Sequence, residues 1–355
     1  MRKLWMVLCG AVALLALVAA GCGGDDSSSS GLKVGLVYDV GGRGDQSFND
    51  AAAAGVERAK EELGITYTEA SPNDDGSNRA ELLQLAADSS DQVIAVGFLF
   101  EGDAKKVGVE NPDTTFGVID SSMVDFEKDP PAPYADNISG LVFAEQDGSF
   151  LVGAAAALKS TTGKIGFIGG VRGVGGLIEK FEAGYIAGAK AVKPDIKVLS
   201  EYITEAPNFD GFNDPARAKD IASAMYEDGA DIVYHAAGGS GAGLFEAAKA
   251  VSKSTGTKVW AIGVDSDQYN TVDPGVQEYV LTSMLKRVDV AVFEAIKAKI
   301  DDKVVAGETR YDLSVDGVGY STSGGFVDDI VDQLDEYKQK IIDGDIVVPT
   351  DPTKA

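Results

Sequence analysis

The chain has 355 residues, 45% hydrophobic and 25% charged, a balance that fits two α/β lobes and excludes collagen-like, coiled-coil and wholly disordered classes. Thirty-one basic against 56 acidic residues give a net charge of −25, so polymeric nucleic acid is excluded as a partner by long-range repulsion. One histidine and two cysteines exclude Cys/His zinc sites and a disulfide framework.

The amino terminus reads as an address. Met1–Lys3 is basic, and Leu4–Ala20 is apolar apart from Cys9 and Gly10, which fits a secretory signal and is short for a membrane span. Ala19-Ala20-Gly21-Cys22 resembles a bacterial lipobox, departing from it at Ala19, where a larger aliphatic residue is usual. The resemblance implies loss of residues 1–21 and acylation of Cys22; the alternatives are ordinary cleavage leaving a free thiol, or an uncleaved anchor. Loss of Arg2 and Lys3 takes the charge to −27. Residues 22–31 form a Gly/Ser tether, whose nine residues Gly23–Gly31 reach about 15–18 Å as a flexible chain. The expected location is extracytoplasmic, lipid-anchored to the cell membrane.

From Leu32 onward, apolar strand-like runs alternate with Ala-rich helical stretches. Strands are expected at Val34–Tyr38, Val93–Phe98, Thr115–Ile119, Ile138–Ala144, Lys164–Ile168, Val198–Ile203, Ile232–His235, Val259–Val264 and Val280–Leu285. Helices are expected at Asn49–Leu63, Gly148–Lys159, Phe181–Val192, Pro215–Glu227, Gly243–Ser252 and Asp289–Ile300. Near-continuous Val/Ile/Leu/Phe strands are buried on both faces, which implies parallel sheets covered by helices. A polar, Pro-rich pause at Ser121–Ser139 and a second at Asp301–Glu308 divide the pattern, and the order suggests two sheets with a cleft at the carboxyl ends of their strands. Thr309–Tyr320 reads as irregular and extended, and Phe326–Ile342 as a closing amphipathic helix.

Three strands run into an acid: Asp39, Asp120 and Asp265. A carboxylate past a buried strand lands at the cleft mouth and accepts hydrogen bonds from sugar hydroxyls or ring N–H groups. Each alone reads equally well as a helix N-cap, and a metal site competes for the group. The Gly-rich loop Gly41–Asp50 carries Phe48 at a helix start and Asn49, whose amide suits the edge of a heterocyclic base; Phe48 reads alternatively as a hydrophobic staple. Phe212, before the Pro215 helix, is its counterpart in the second half. Two such rings can clamp a flat guest, at about 1–3 kcal/mol per stacked face. The loop Ala237–Gly243, with Gly239 and Gly243, offers backbone N–H groups or simply a tight reversal, and it matches neither a Walker loop nor a dinucleotide fingerprint. Lys286 ends a strand and is the best-placed cation. His235 reads as a structural imidazole, and no Gly-x-Ser-x-Gly elbow exists.

Asp39 with Gly44–Asn49, then Gly117–Asp120, Glu145–Gly153, Lys164–Gly170, Phe181–Tyr185, Phe212–Pro215 and Gly263–Gln268, resemble in order the basic membrane protein (BMP) family of ABC-transporter lipoproteins, from about residue 33 to 343. The resemblance implies a type I periplasmic-binding-protein fold: two Rossmann-like lobes with mostly parallel sheets and a three-strand hinge. The lobes are expected at 32–144 plus 288–309 and at 145–287 plus 310–345, with a tail at 346–355. It implies capture of nucleosides, purine nucleosides especially, for an ABC permease with a cytoplasmic ATPase, with no catalytic residues, no metal and no cofactor. Phe48 and Phe212 would clamp the ring and Asn49 would contact the base edge. Asp265, Lys286 and the Gly239–Gly243 loop would hold the ribose, with Asp39 and Asp120 bonding base or sugar. The protein is expected to be a monomer. The rivals are a receptor for a sugar or another small polar signal, and a secreted nucleoside hydrolase.

Overall fold

The structure is a computed structural model that describes residues 31–73 and 76–355; the leader, Cys22 and residues 22–30 of the tether lie outside them. The chain runs β1 Lys33–Val37, α1 Phe48–Leu63, β2 Thr66–Ala70, α2 Arg79–Ser89, β3 Gln92–Ala95, α3 Glu101–Glu110 and β4 Thr115–Ile119. A two-residue ribbon, β5 Val124–Asp125 and β6 Ala132–Pro133, precedes β7 Ile138–Phe143. Then follow α4 Glu145–Lys159, β8 Lys164–Arg172, α5 Leu177–Val192, β9 Lys197–Glu205, α6 Pro215–Glu227, β10 Ile232–Ala236, α7 Gly241–Thr255 and β11 Trp260–Asp265. The last elements are α8 Gln268–Thr271, β12 Val280–Lys286, α9 Val288–Ile300, β13 Gly307–Tyr311, β14 Val318–Tyr320 and α10 Val331–Ile342.

Two six-stranded sheets result, ordered β13-β7-β4-β3-β1-β2 and β14-β12-β11-β10-β8-β9. Every pairing in the first is parallel; in the second only β14 runs antiparallel, against β12. Helical crossovers force this arrangement, because parallel neighbours cannot be joined by a tight turn. The sheets correspond strand for strand, β4 occupying in one the place β11 takes in the other. The chain passes between them three times, from β7 into α4, from β12 into α9, and from β13 to β14. One hydrophobic cluster spans both lobes, from Val34 and Leu36 in β1 through Phe150 in α4 to Tyr234 in β10 and Met284 in β12. Among the described residues no helix is long and apolar enough to cross a membrane.

Several expectations are corrected. Thr309–Tyr320 is extended but more regular than expected, because it holds the end of β13 and all of β14, which close one edge of each sheet. The strand expected over Val93–Phe98 stops at Ala95. Gly97, at φ 103°, turns the chain so that Phe98 opens a single helical turn. The closing helix starts at Val331, after a one-turn helix at Asp328–Ile330. β2, α2 and α3 are additional elements.

Candidate functional site

The carboxyl ends of both sheets face a cavity of about 580 Å³, counted out to its solvent-facing mouth. The first lobe supplies Asp39 after β1, Asp45 and Phe48 around the start of α1, Phe98 after β3 and Asp120 after β4. The second supplies Leu177, Ile178 and Phe181 from α5, Phe212 before α6, and Asp265 and Lys286 at the ends of β11 and β12. Phe48 and Phe212, carried by different lobes, thus line one hollow.

The two strand-end acids share a backbone device. Asp120 and Asp265, at corresponding places in the two sheets, have φ of 64° and 62°, a left-handed conformation in which Asp is one of the few tolerated residues. That turn ends the strand and leaves the carboxylate on the cavity wall. Gly97 serves the third acid. A Cβ built there would stand 2.1 Å from Asp39 Oδ2, so only glycine leaves room for the carboxylate.

The loop before α1 is tied by Asp45. Its carboxylate accepts from the backbone N–H of Ser47 (2.9 Å), Asn49 (2.8 Å) and Asp50 (3.1 Å) and from Asn49 Nδ2 (3.0 Å). Asp45 therefore does the capping that Ser47, in the N-cap position, leaves undone. Asn49 lines the cavity as well, and its amide is tied into the same loop: Nδ2 donates to Asp45 and to the carbonyl of Val40 (3.2 Å), and Oδ1 accepts from Asp39 N (2.9 Å).

Lys286 is the electrostatic centre. Its Nζ lies 2.6 Å from Asp120 Oδ1 and 3.7 Å from Glu145 Oε1, and Glu145 Oε2 lies 3.5 Å from Lys180 Nζ. The ammonium also stands 4.9, 5.1 and 5.7 Å from the ring centroids of Phe48, Phe143 and Phe181. Burial alone would lower its pKa; Asp120, Glu145 and Asp265 outweigh that and raise it. Burial pushes Asp39 up to about 6 against the pull of the Val40 N–H and Arg79. It pushes Asp265 up to about 6 as well, against Lys286 and the Ser47 hydroxyl. Asp45 and Glu145 are raised by burial too.

Two glycines part company. Gly239 lies beside the rim, where a Cβ would sit 3.4 Å from Asn213 Oδ1 and 3.5 Å from Asp45 Cβ, while its neighbour Gly238 lines the cavity. Gly243 is corrected: it sits inside α7, where a Cβ would come within 1.9 Å of the Pro215 carbonyl, so it lets α7 approach α6 and does not face a guest. Sequence reasoning missed Asp45, Phe98, Phe181 and Glu145. Glu145 follows the buried strand β7 as the other acids follow theirs, and that rule applied once more would have found it. Among the described residues no group of three or more His, Cys, Asp or Glu is placed to hold a metal ion.

A family model described as ABC transporter substrate-binding protein, PnrA-like (Bmp), matches residues 32–352. A protein of Lactococcus lactis named ABC transporter nucleoside-binding protein BmpA is 34% identical, covering 97% of this chain and 99% of its own. A Listeria innocua protein named CD4+ T-cell-stimulating antigen is also 34% identical, covering 96% and 98%. The crystal structure of an ABC-transporter solute-binding protein from Aeropyrum pernix superposes with a TM-score of 0.75 at 29% identity, over 90% of this chain and 94% of that one.

Proposed function

The chain belongs to the Bmp family of PnrA-like ABC-transporter substrate-binding proteins, which are solute-binding proteins and not enzymes, and from that premise we propose that this one captures nucleosides, purine nucleosides in particular. The observation that carries the reading is the pairing of Phe48 and Phe212 on opposite lobes around one cavity rimmed by acids. A flat base between two rings gains about 1–3 kcal/mol per face. Asp39, Asp120 and Asp265 accept hydrogen bonds from the sugar hydroxyls or base N–H groups, and Lys286 donates. Four aspartates line the hollow with Lys286 as its one lining cation, which favours a neutral guest over a phosphorylated one. A guest touching both lobes binds the closed arrangement better than an open one, and the closed form is what a permease with its ATPase would recognise. Cys22 acylation would keep the monomeric receptor at the outer face of the cell membrane.

Titration calorimetry with inosine, guanosine, adenosine, cytidine and the matching monophosphates tests the assignment. Heat with purine nucleosides and none with monophosphates is expected; no heat with any nucleoside would discard it. Phe212→Ala should weaken binding about tenfold or more. Unchanged affinity there would move the assignment toward a sugar or another polar solute.

A further inference from the structure

The two lobes are joined by a set of hydrogen bonds that lies behind the cavity wall. The Gln46 carbonyl in the first lobe accepts from Gln268 Nε2 (3.0 Å) and Thr271 Oγ1 (3.3 Å) of the second. Ser47 Oγ donates to Asp265 Oδ2 (2.6 Å), and Ser266 Oγ donates to the Ser47 carbonyl (3.0 Å). Gln46, Ser47, Ser266, Gln268 and Thr271 are all absent from the cavity lining. Gln46 has φ of 55°, unusual for a residue other than glycine.

Gln268 is the best-determined member. It is 1% exposed, and its Oε1 is fixed by the N–H of Val264 (2.8 Å) and by Nε2 of His235 (2.9 Å). Burial depresses the His235 pKa to about 4, so the ring is neutral at physiological pH and meets Oε1 as the Nε2–H donor. With both donors on Oε1, the amide nitrogen has one direction left, across the boundary toward Gln46. The chain's single histidine, which no step of ligand capture requires, thereby acquires a use.

We propose that Gln268, aimed by His235, is a positioning residue that latches the two lobes shut without touching the bound molecule. The proposal rests on lobe closure as the mode of capture but not on which solute is captured. The latch raises the closed fraction of the ligand-free protein and slows release.

Gln268→Glu tests it, because the carboxylate keeps the acceptor for His235 and Val264 while setting an oxygen against the Gln46 carbonyl. Spin labels on the exposed faces of α3 and α6 report the interlobe distance without any ligand, and inosine binding kinetics report release. The expected result is a longer interlobe distance in the variant and dissociation about tenfold faster or more, with association within about twofold of the parent. The double variant Ser266→Ala/Thr271→Val, which spares the buried pair, should move both readouts the same way and keeps the test decisive if Gln268→Glu fails to fold. Distances unchanged in the folded variants would overturn the latch even if inosine binds, whereas altered distances without inosine binding would retain it and discard only the nucleoside assignment.

Discussion

Replacing Lys286 by Met removes the one cation that faces both Asp120 and Glu145, and leaves two nearly inaccessible carboxylates without their shared partner. Methionine keeps the length and apolar body of the side chain, so the packing against Phe48, Phe143 and Phe181 is largely retained and the change is chiefly electrostatic. Stripping one partner from a buried pair costs about 3–5 kcal/mol. Glu145, already raised by burial, has Lys286 as its strongest restraint, so without it the carboxyl is pushed further toward the protonated form. The sign of the pH dependence follows: the variant's folded-state carboxyl has a pKa raised above the parent's, so its deficit against the parent shrinks as pH falls. Urea denaturation of both proteins at pH 7 and pH 5, without ligand, measures this. A deficit below about 1 kcal/mol at pH 7, or one equal at both pH values, refutes the claim that Lys286 neutralises this cluster.

Gly243→Ala is expected to lose about 1–3 kcal/mol by forcing α7 off α6, with solute affinity retained in the folded fraction, while Gly239→Ala is tolerated; urea midpoints and calorimetry check both. Asp45→Ala removes the acceptor for three backbone N–H groups and should lower stability by about 1–2 kcal/mol and affinity with it, since Phe48 rides on that loop; an affinity equal to the parent's argues against the loop's part in the site. Asp39 and Asp265, both with folded pKa near 6 against 3.8 when free, penalise the fold above pH 6, and the penalty is relieved as pH falls from about 6 toward 4. Asp39→Asn and Asp265→Asn should therefore each gain stability at pH 8, up to about 3 kcal/mol, with the gain vanishing near pH 4; thermal melts across that range test the sign.

What the sequence made legible follows from where each residue is buried. Thr115–Ile119 reads as a strand because all five residues are buried, and Phe116, Val118 and Ile119 supply the apolar character that burial on both faces demands. β2, with the sequence Thr-Tyr-Thr-Glu-Ala, lies at a sheet edge with no fully buried residue, so it lacks the continuous apolar run that marks the inner strands, although Thr and Tyr favour extended backbone. The strand-end acids were legible because the carboxyl ends of parallel strands converge on a cleft in any such topology. Asn49 was readable as a good recognition residue but not as an internal tie, because that role depends on where Asp45 and Val40 turn. Gly243 was misassigned because the helix it belongs to begins two residues earlier, and the α6 backbone it meets is set by tertiary contact. The contact between Gln46 and Gln268 spans 222 positions, and no local pattern announces it.

The knot that Asp45 ties has a further consequence. Four donors converging on one carboxylate fix the segment ahead of α1 during folding, so the wall carrying Phe48 is rigid before any guest arrives. Little chain entropy is then lost at the moment of encounter, and recognition becomes a meeting of preformed surfaces.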